Sequence, residues 1–259
     1  MPATARTLAG TAGVAGLALA TALAGTVPSG AATASTTSTT STGTGLVVVG
    51  RWMLDEEHGA TWAHDVSGNE HEGSIGAEVQ PGAPGYYETA FRFAPPAATV
   101  KDPERLVMVP DAPDLDPGWR TVQISLRVRT SYSGEFNIVQ KGQAATAGGF
   151  WKVQMDDGVP SCVFTGVTSD GTRSTVGLKY GNRINNGAWH RIVCEKHITY
   201  VRMQIDGGTP LVTYKRAGHI ANTWNLVMGG KASCNPSYGW VGCDYYHGDL
   251  DSVVLSMSS

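Results

Sequence analysis

The sequence predicts an all-β fold in which two antiparallel sheets pack face to face. Apolar and polar residues alternate along several segments, which is typical of strands with one buried face. Turn signals separate these segments, and the chain contains 33 glycines and 13 prolines. No window of helical length keeps an apolar stripe with helical period free of Gly or Pro. We therefore expect strands joined by turns and no helical layer.

The N-terminal residues are predicted to lie outside this fold. Residues 1–34 have the pattern of a secretory signal, with an apolar run at 8–23 and a small-residue cleavage motif at 32–34. A membrane anchor is the alternative, but the run is interrupted by glycines and is shorter than the roughly 20 residues of a spanning helix. Residues 35–45 form a Ser/Thr/Gly linker. We expect residues 46–257 to form one secreted, extracellular domain without membrane insertion.

The longest clean alternation runs from Thr121 to Arg129. Its apolar members occupy every second position, and they are Val122, Ile124, Leu126 and Val128. Shorter runs of the same kind cover 201–205 and 253–257. Turn signals rich in Asp, Asn and Gly lie between the runs, at 67–69, 116–118, 156–158, 170–171, 185–187 and 206–208. Each one-sided strand must bury its apolar face, so we expect two packed sheets.

The four cysteines are Cys162, Cys194, Cys234 and Cys243, and four cysteines allow three pairings. An even number in an exported protein favours disulfides, and no zinc-ligand spacing is present. Cys162 and Cys194 each lie in a strand-like run, whereas Cys234 and Cys243 flank a turn-rich loop. We therefore predict the bridges 162–194 and 234–243.

The composition supports a folded domain and argues against some partners. With 41% hydrophobic and 16% charged residues, the chain can bury a core. Its formal net charge is −3, whereas binding nucleic-acid phosphates or an acidic membrane surface needs basic residues. We therefore expect no nucleic-acid partner and a monomeric protein.

Six groups of residues carry a family pattern in order along the chain. They are Trp52-x-Leu54-Asp55-Glu56, Asp65-x-Ser67-Gly68-Asn69, Ile124 to Thr130 with Lys141-Gly142, Asn186 to Val193, Val201 to Gly207, and Gly248 to Val253. Together they resemble the laminin-G-like domains of the concanavalin A-like lectin/glucanase superfamily. The resemblance covers 46–257 and implies a jelly-roll sandwich with adjacent first and last strands, in which Trp52 and Trp189 are core residues. The cysteines resemble those of a secreted bacterial branch.

The resemblance also implies a structural calcium ion. In many members of the superfamily an aspartate of the closing strand binds calcium with backbone carbonyls near the first strand, and the matching residue is Asp251. Asp65, in a turn near the first strand, is a second candidate ligand. Calcium takes about six to eight oxygens, so one carboxylate with carbonyls and water can suffice. The alternative is that Asp251 caps a turn or pairs with an arginine.

No catalytic residues are predicted. Glycoside hydrolysis needs two flanking carboxylates, and the E-x-D-x-x-E motif of the laminarinase group in this superfamily is absent. Asp249 and Asp251 share one strand face, but they lie where the family has no catalytic group. We interpret them, like Glu70 and Glu72, as solvated turn carboxylates. A divergent polysaccharide hydrolase or lyase is the third hypothesis for the function of the chain.

A binding module is the function that the sequence favours, with a carbohydrate or glycoprotein ligand. Aromatic rings can stack on the apolar faces of sugars while polar groups bind the hydroxyls. The predicted ligand-binding residues surround the 234–243 loop and are Asn235, Tyr238, Trp240, Asp244, Tyr245 and Tyr246. Alternatively these rings fill a small satellite core, and Tyr86-Tyr87 are a weaker candidate. The alternative function is a protein-binding adhesion or structural module.

Overall fold

Alternating apolar side chains place one face of each long strand in a shared core. A computed structural model describes residues 45–95, 104–233 and 243–259. In these residues the only helix is a 3-10 turn at Pro113–Leu115. The strands are β1 Leu46–Trp52, β2 Trp62–Ala63, β3 Gly73–Ile75, β4 Val79–Pro84, β5 Thr89–Phe93, β6 Val107–Val109, β7 Val122–Arg129, β8 Glu135–Lys141, β9 Phe150–Asp156, β10 Val159–Val167, β11 Arg173–Lys179, β12 Trp189–Lys196, β13 Val201–Ile205, β14 Leu211–Thr213, β15 Leu226–Met228 and β16 Gly248–Ser258.

The strands form two antiparallel sheets of eight strands each. Sheet 1 has the order β14-β13-β12-β7-β16-β5-β4, and β1 also pairs with β16. Sheet 2 has the order β11-β10-β9-β8-β15-β6-β3-β2. The pairing of β1 with β16 makes the first and last strands neighbours, as the resemblance implies. The predicted all-β, two-sheet jelly-roll sandwich is confirmed.

The core lies between the sheets and follows the predicted alternation. The four apolar residues of β7 are each at most 1% exposed, and its polar residues face outward. Trp52 is also fully buried, and its indole N–H donates to the carbonyl of His71. Burying a large apolar side chain contributes about 1.5–3 kcal/mol relative to leaving it exposed. The interleaved apolar faces therefore account for much of the driving force for this fold.

A two-residue turn joins β9 to β10, at one of the predicted turn signals. Asp157 and Gly158 both have positive φ, at 49° and 82°. This combination is that of a type I′ turn, which matches the right-handed twist of the paired strands. Asp-Gly at this point therefore sets the register of the hairpin, in which Asp156 pairs with Val159.

The family-based placement of Trp189 in the core is wrong. Trp189 pairs with Arg129 across β12 and β7, and both side chains lie on the outward face of sheet 1. The Arg129 guanidinium carbon lies 4.7 Å from the centre of the Trp189 ring. Because the strand period is two, Ile192 and Cys194 take the inward positions of β12. The ring is therefore covered by an arginine and not by the core.

One predicted disulfide joins the two sheets. Cys162 on β10 and Cys194 on β12 are bonded, with a sequence separation of 32 residues and a Cα–Cα distance of 5.8 Å. The bridge 162–194 is thus confirmed. Cys243 is disulfide-bonded as well, and its predicted partner Cys234 lies outside the described residues. The predicted signal and nearly all of the predicted linker also lie outside them.

The described residues contain no helix that is long and apolar enough to cross a membrane.

Candidate functional site

The predicted aromatic site falls partly outside the described residues and partly in the core. Asn235, Tyr238 and Trp240 belong to the first group. Tyr246 is 1% exposed, packs in the main core and donates its hydroxyl hydrogen to the carbonyl of Asp249. Its burial raises the pKa of the phenol well above its usual value. Tyr245 is also buried.

Tyr245 packs with Leu106 and Cys243 in a small cluster apart from the main core. A ring in such a position has no free face on which a sugar could stack. The assignment of Tyr245 and Tyr246 to a ligand site is therefore corrected, because their rings fill the core and a satellite core.

Asp244 has structural partners on a neighbouring strand. Its carboxylate accepts a hydrogen bond from the side-chain amide of Asn137 at 3.2 Å, and it forms an ion pair with Lys231 at 2.7 Å. Its carbonyl accepts a hydrogen bond from the backbone N–H of Asn137. These contacts dock the segment that precedes β16 onto β8.

Asp65, a predicted calcium ligand, organises the turn that follows β1. Its carboxylate accepts hydrogen bonds from the N–H groups of Arg51, Ser67 and His71 and from the Ser67 hydroxyl, at 2.7–3.1 Å. Burial acts to raise the pKa of Asp65, but these hydrogen bonds outweigh it and lower the pKa. The carboxylate is therefore stabilised in its charged form without a cation.

Asp251, the other predicted calcium ligand, has partners for both oxygens. One accepts a hydrogen bond from the Tyr86 N–H at 2.8 Å, and the other from the Ser252 hydroxyl at 2.6 Å. In the part of the chain that the structure describes, no group of three or more His, Cys, Asp or Glu side chains could hold a metal ion. A calcium site needs about six to eight oxygens that are free to face the ion. The predicted site has one carboxylate with backbone carbonyls and water, which such a group does not describe, so calcium binding at Asp251 and Asp65 stays a prediction.

Asp249, which shares a strand face with Asp251, is held by two arginines. Arg92 pairs with its carboxylate at 2.8 Å and Arg129 at 2.7 Å, and the side chain of Asp249 is 7% exposed. Asp249 and Asp251 are 5% and 2% exposed on β16, so their interpretation as solvated turn carboxylates is wrong.

A cleft of about 570 Å³ is the site where exposed aromatic, hydroxyl and basic side chains meet. Its walls come from the loop before β7, the β10–β11 turn, the β12–β13 turn and the segment between β14 and β15. The residues that offer chemistry to a ligand are Trp119, Ser169, Asp170, Thr172, Lys196 and Arg216.

Trp119 is the aromatic residue of the cleft, and it is 50% exposed. It follows Gly118, which exchanges two backbone hydrogen bonds with Ile220 at 2.8 and 3.2 Å. The edge of its ring contacts His219, with 5.5 Å between the ring centres. The backbone pairing and the histidine thus hold the indole in place while one face stays open.

Another wall of the cleft forms where the segment around His219 packs closely against the end of β10. Val167, at the end of β10, exchanges two backbone hydrogen bonds of 2.8 Å with His219. Gly218 lies beside this pairing with φ +83°, and a Cβ on it would lie 2.7 Å from the carbonyl carbon of Val167. Only glycine meets both conditions without strain, so Gly218 allows the segment to close against β10.

The β10–β11 turn supplies the hydroxyl groups. Ser169 and Thr172 are exposed on it. Hydrogen bonds from the Thr168 hydroxyl and the Thr172 N–H fix the carboxylate of Asp170 and hold its pKa below the usual value. The turn therefore presents hydroxyl groups on a locally ordered backbone.

Three cations line the cleft, namely Arg173, Lys196 and Arg216, and Arg173 donates to the carbonyls of Thr146 and Ala144. Lys196 is 1% exposed and donates to the carbonyls of Gly118 and Arg120 at 2.9 and 3.0 Å. Burial lowers its pKa to about 8, and the nearby Arg120 acts in the same direction. Arg216 is exposed, and among the described residues no carboxylate pairs with it. Lys196 thus contributes a buried positive charge to the cleft, while the exposed Arg216 is available to a ligand.

Sequence reasoning missed this cleft, although one of its signals was present. Trp119 directly follows the turn signal at 116–118, and an aromatic residue beside a turn is a candidate for exposure. Its partner segment lies about a hundred positions away at Ile220, and no local pattern connects the two.

Comparisons with known proteins bear on the fold. No protein-family model matches the chain, and no curated protein matches its sequence. Among solved structures it resembles the binding domain of paraclostridial mosquitocidal protein 1, with 13% identity, a TM-score of 0.54, and coverage of 82% of this chain and 48% of that chain. The botulinum neurotoxin serotype D binding domain gives 12% identity, a TM-score of 0.53, and coverage of 82% and 47%.

A third structure concerns botulinum neurotoxin type C, whose cell entry depends on interaction with two ganglioside molecules. It is 13% identical, with a TM-score of 0.51 and coverage of 82% of this chain and 46% of that chain. This chain thus spans just under half the length of the three structures. Domains LG4-5 of the mouse laminin alpha1 chain give 15% identity, a TM-score of 0.41 and coverage of 60% and 39%. That likeness is too low to assign the laminin-G-like branch, which stays a prediction.

Proposed function

We propose that this protein is a secreted, non-catalytic binding module whose ligand is a carbohydrate or glycoconjugate. The observation that carries the proposal is the half-exposed ring of Trp119 beside the exposed hydroxyls of Ser169 and Thr172 and the exposed Arg216. A sugar offers C–H faces that stack on an indole, and hydroxyls that exchange hydrogen bonds with side chains. The structural neighbours are binding domains as well, which supports this class of function.

The charge in the cleft favours binding over hydrolysis. Among the described residues that line it, Asp170 is the single carboxylate, and its hydrogen bonds keep it charged at neutral pH. Glycoside hydrolysis needs a protonated acid and a second carboxylate on the two sides of the bond. The cleft therefore offers groups that hold a ligand and lacks a matched acid and base.

A protein ligand is the second candidate. Apolar side chains are exposed at the rim of the cleft and on β14 and the segment after it, namely Ile198 at 53%, Val212 at 41% and Tyr214 at 82%. An exposed apolar group of this kind is typical of protein-binding surfaces. On this reading a partner protein would bury these three side chains and leave the cleft filled with water.

Replacing Trp119 with alanine is expected to weaken binding of a glycan identified on a glycan array by about 1–3 kcal/mol, because the stacking surface is lost. Isothermal titration of the full chain measures this change. Trp62→Ala is the matched control, since Trp62 is 52% exposed but lies on β2 of sheet 2. Equal affinity of wild type and Trp119→Ala would contradict the proposed site, as would an equal loss in both variants.

A further inference from the structure

The outward face of sheet 1 is strongly enriched in arginine. Residues that face outward on its strands include six arginines, namely Arg51, Arg92, Arg127, Arg129, Arg191 and Arg202. Three carboxylates share the face, namely Asp249, Asp251 and Glu195. The face thus carries an excess of three positive charges in a protein whose formal net charge is −3. The positive charges are therefore concentrated on one face of the protein.

Half of these arginines, three of the six, already form ion pairs with two carboxylates. Asp249 pairs with Arg92 and Arg129, and Glu195 pairs with Arg202 at 3.2 Å. The carboxylate of Asp251, by contrast, accepts its hydrogen bonds from Tyr86 and Ser252.

The other three arginines, Arg51, Arg127 and Arg191, have no ion pair within the described ranges. Arg127 lies directly opposite Arg191 on β12 and opposite Asp251 on β16, so two arginines share the charge of one carboxylate. Side chains in such positions are about 5 Å apart at Cβ, and like charges there destabilise the sheet. The Nε of Arg191 donates to the Ser125 hydroxyl at 3.0 Å, which leaves its terminal nitrogens available. An anion bound between the two guanidinium groups would remove this repulsion.

Two tyrosines extend the same face beside Arg127. The guanidinium carbon of Arg127 lies 3.7 Å from the centre of the Tyr86 ring. A terminal nitrogen of the same group donates a hydrogen bond to the Tyr87 hydroxyl at 3.2 Å. Tyr86 is 46% exposed and Tyr87 is 68% exposed. The hydrogen bond from Tyr86 to Asp251 fixes this tyrosine on β16. The outward face of sheet 1 therefore carries exposed aromatic rings beside its arginines. The half-buried Trp189, next to Arg129, adds a third ring.

A groove continues the face at the end of β7 and β16. It has a volume of about 360 Å³ and is lined by Arg92, Arg129, Tyr132 and the carboxylate Asp249, which pairs with both arginines and leaves one positive charge among the three. Tyr132 is 44% exposed. The positive charge and the exposed rings therefore follow one path from Arg191 and Arg127 to this groove, and an extended ligand can contact all of them.

We propose that the outward face of sheet 1 is a second binding site, for an acidic polysaccharide that carries carboxylate or sulfate groups. Guanidinium groups bind such anions through paired, charge-assisted hydrogen bonds, while tyrosine and tryptophan rings stack on the sugar units between the anions. The site shares no lining residue with the Trp119 cleft and does not depend on it. Nucleic acid also offers anions, but a long duplex would meet the acidic remainder of the protein.

The double substitution Arg127→Gln/Arg191→Gln tests this site. Polygalacturonate and dextran sulfate are the probes, and the full chain is titrated against each at low and high salt. We expect about tenfold weaker binding in the variant, because two charge-assisted contacts are lost. Added salt should weaken binding to the wild type more than to the variant. A tighter complex with either probe identifies carboxylate or sulfate as the preferred anion. The melting temperature of the variant is measured beside binding, since the substitutions relieve repulsion but also remove the contacts of Arg127 with Tyr86 and Tyr87.

Lys179→Gln/Arg183→Gln is the matched control, because it removes the same charge from exposed positions on and after β11 of sheet 2. The proposal requires that this control binds both probes like the wild type. An equal loss in the control would overturn it, since the attraction would then be non-specific. Equally tight binding of neutral dextran or of duplex DNA would overturn it as well. Trp119→Ala should leave binding of both probes unchanged, which separates this site from the cleft.

Discussion

Replacing Lys141 with methionine is expected to lower the free energy of unfolding by about 3–5 kcal/mol, because the substitution leaves two partly buried carboxylates without their cation. Lys141 is fully buried at the end of β8. Its ammonium group contacts Asp111 at 2.6 Å, Asp116 at 2.9 Å and the carbonyl of Asn222 at 2.8 Å. Asp111 and Asp116 are 30% and 16% exposed, so water compensates them in part and the lower end of the range is expected.

Urea denaturation measures this loss as a lower midpoint with an unchanged slope. Lys179→Met is the matched control, since Lys179 pairs with Asp156 but the two side chains are 56% and 41% exposed. An exposed pair contributes about 0–1 kcal/mol, so the control should stay within that range. Adding Asp111→Asn and Asp116→Asn to Lys141→Met should restore part of the lost stability, because no unpaired charge then remains. Equal losses in the two methionine variants would show that burial does not strengthen the Lys141 cluster.

The longer strands could be predicted from the sequence, because a period of two is visible over five residues or more. The run from Thr121 to Arg129 became β7, and the run at 201–205 became β13. Strands such as β2 and β15 have two or three residues, which is too short for a period, and their existence depends on partners far away in the chain. Trp189 was misplaced because the family pattern predicts which residue type stands in a strand. It does not predict whether that residue faces the core or the outside, which changes with a register shift of one residue.

The functional surfaces could not be predicted in the same way. The net charge of −3 argues against an acidic partner, yet it averages over a surface on which six arginines from five strands are collected. Arg127 and Arg191 become neighbours only when β7 pairs with β12. The aromatic residues near Cys243 were read as a site because tyrosines look alike in sequence whether they are buried or exposed. The burial of a side chain depends on which distant segments pack against it, and a local sequence pattern does not predict that packing.

Removing the bridge between Cys162 and Cys194 is expected to lower the free energy of unfolding by about 3.5 kcal/mol. The bridge closes a loop with a separation of 32 residues, and the chain-entropy model assigns about this value to the restriction of the unfolded chain. Both cysteines are fully buried and lie in different sheets, so the bond also fixes how β10 packs against β12. For a chain of this size the loss corresponds to a decrease of roughly 7–14 °C in melting temperature.

The two single variants and the double variant, each with alanine, separate the bridge from ordinary packing. Each single variant already breaks the bond, so the double variant should unfold at nearly the same urea concentration as either single one. Strictly additive losses would show that the bridge contributes little beyond the packing of two small side chains. In the wild type, the complete burial of both sulfur-bearing residues should keep dithiothreitol from reducing the bond in native buffer, while reduction should proceed once urea unfolds the chain. Rapid reduction of the native protein would mean that β10 and β12 separate locally, and the bridge would then stabilise only that part of the sandwich.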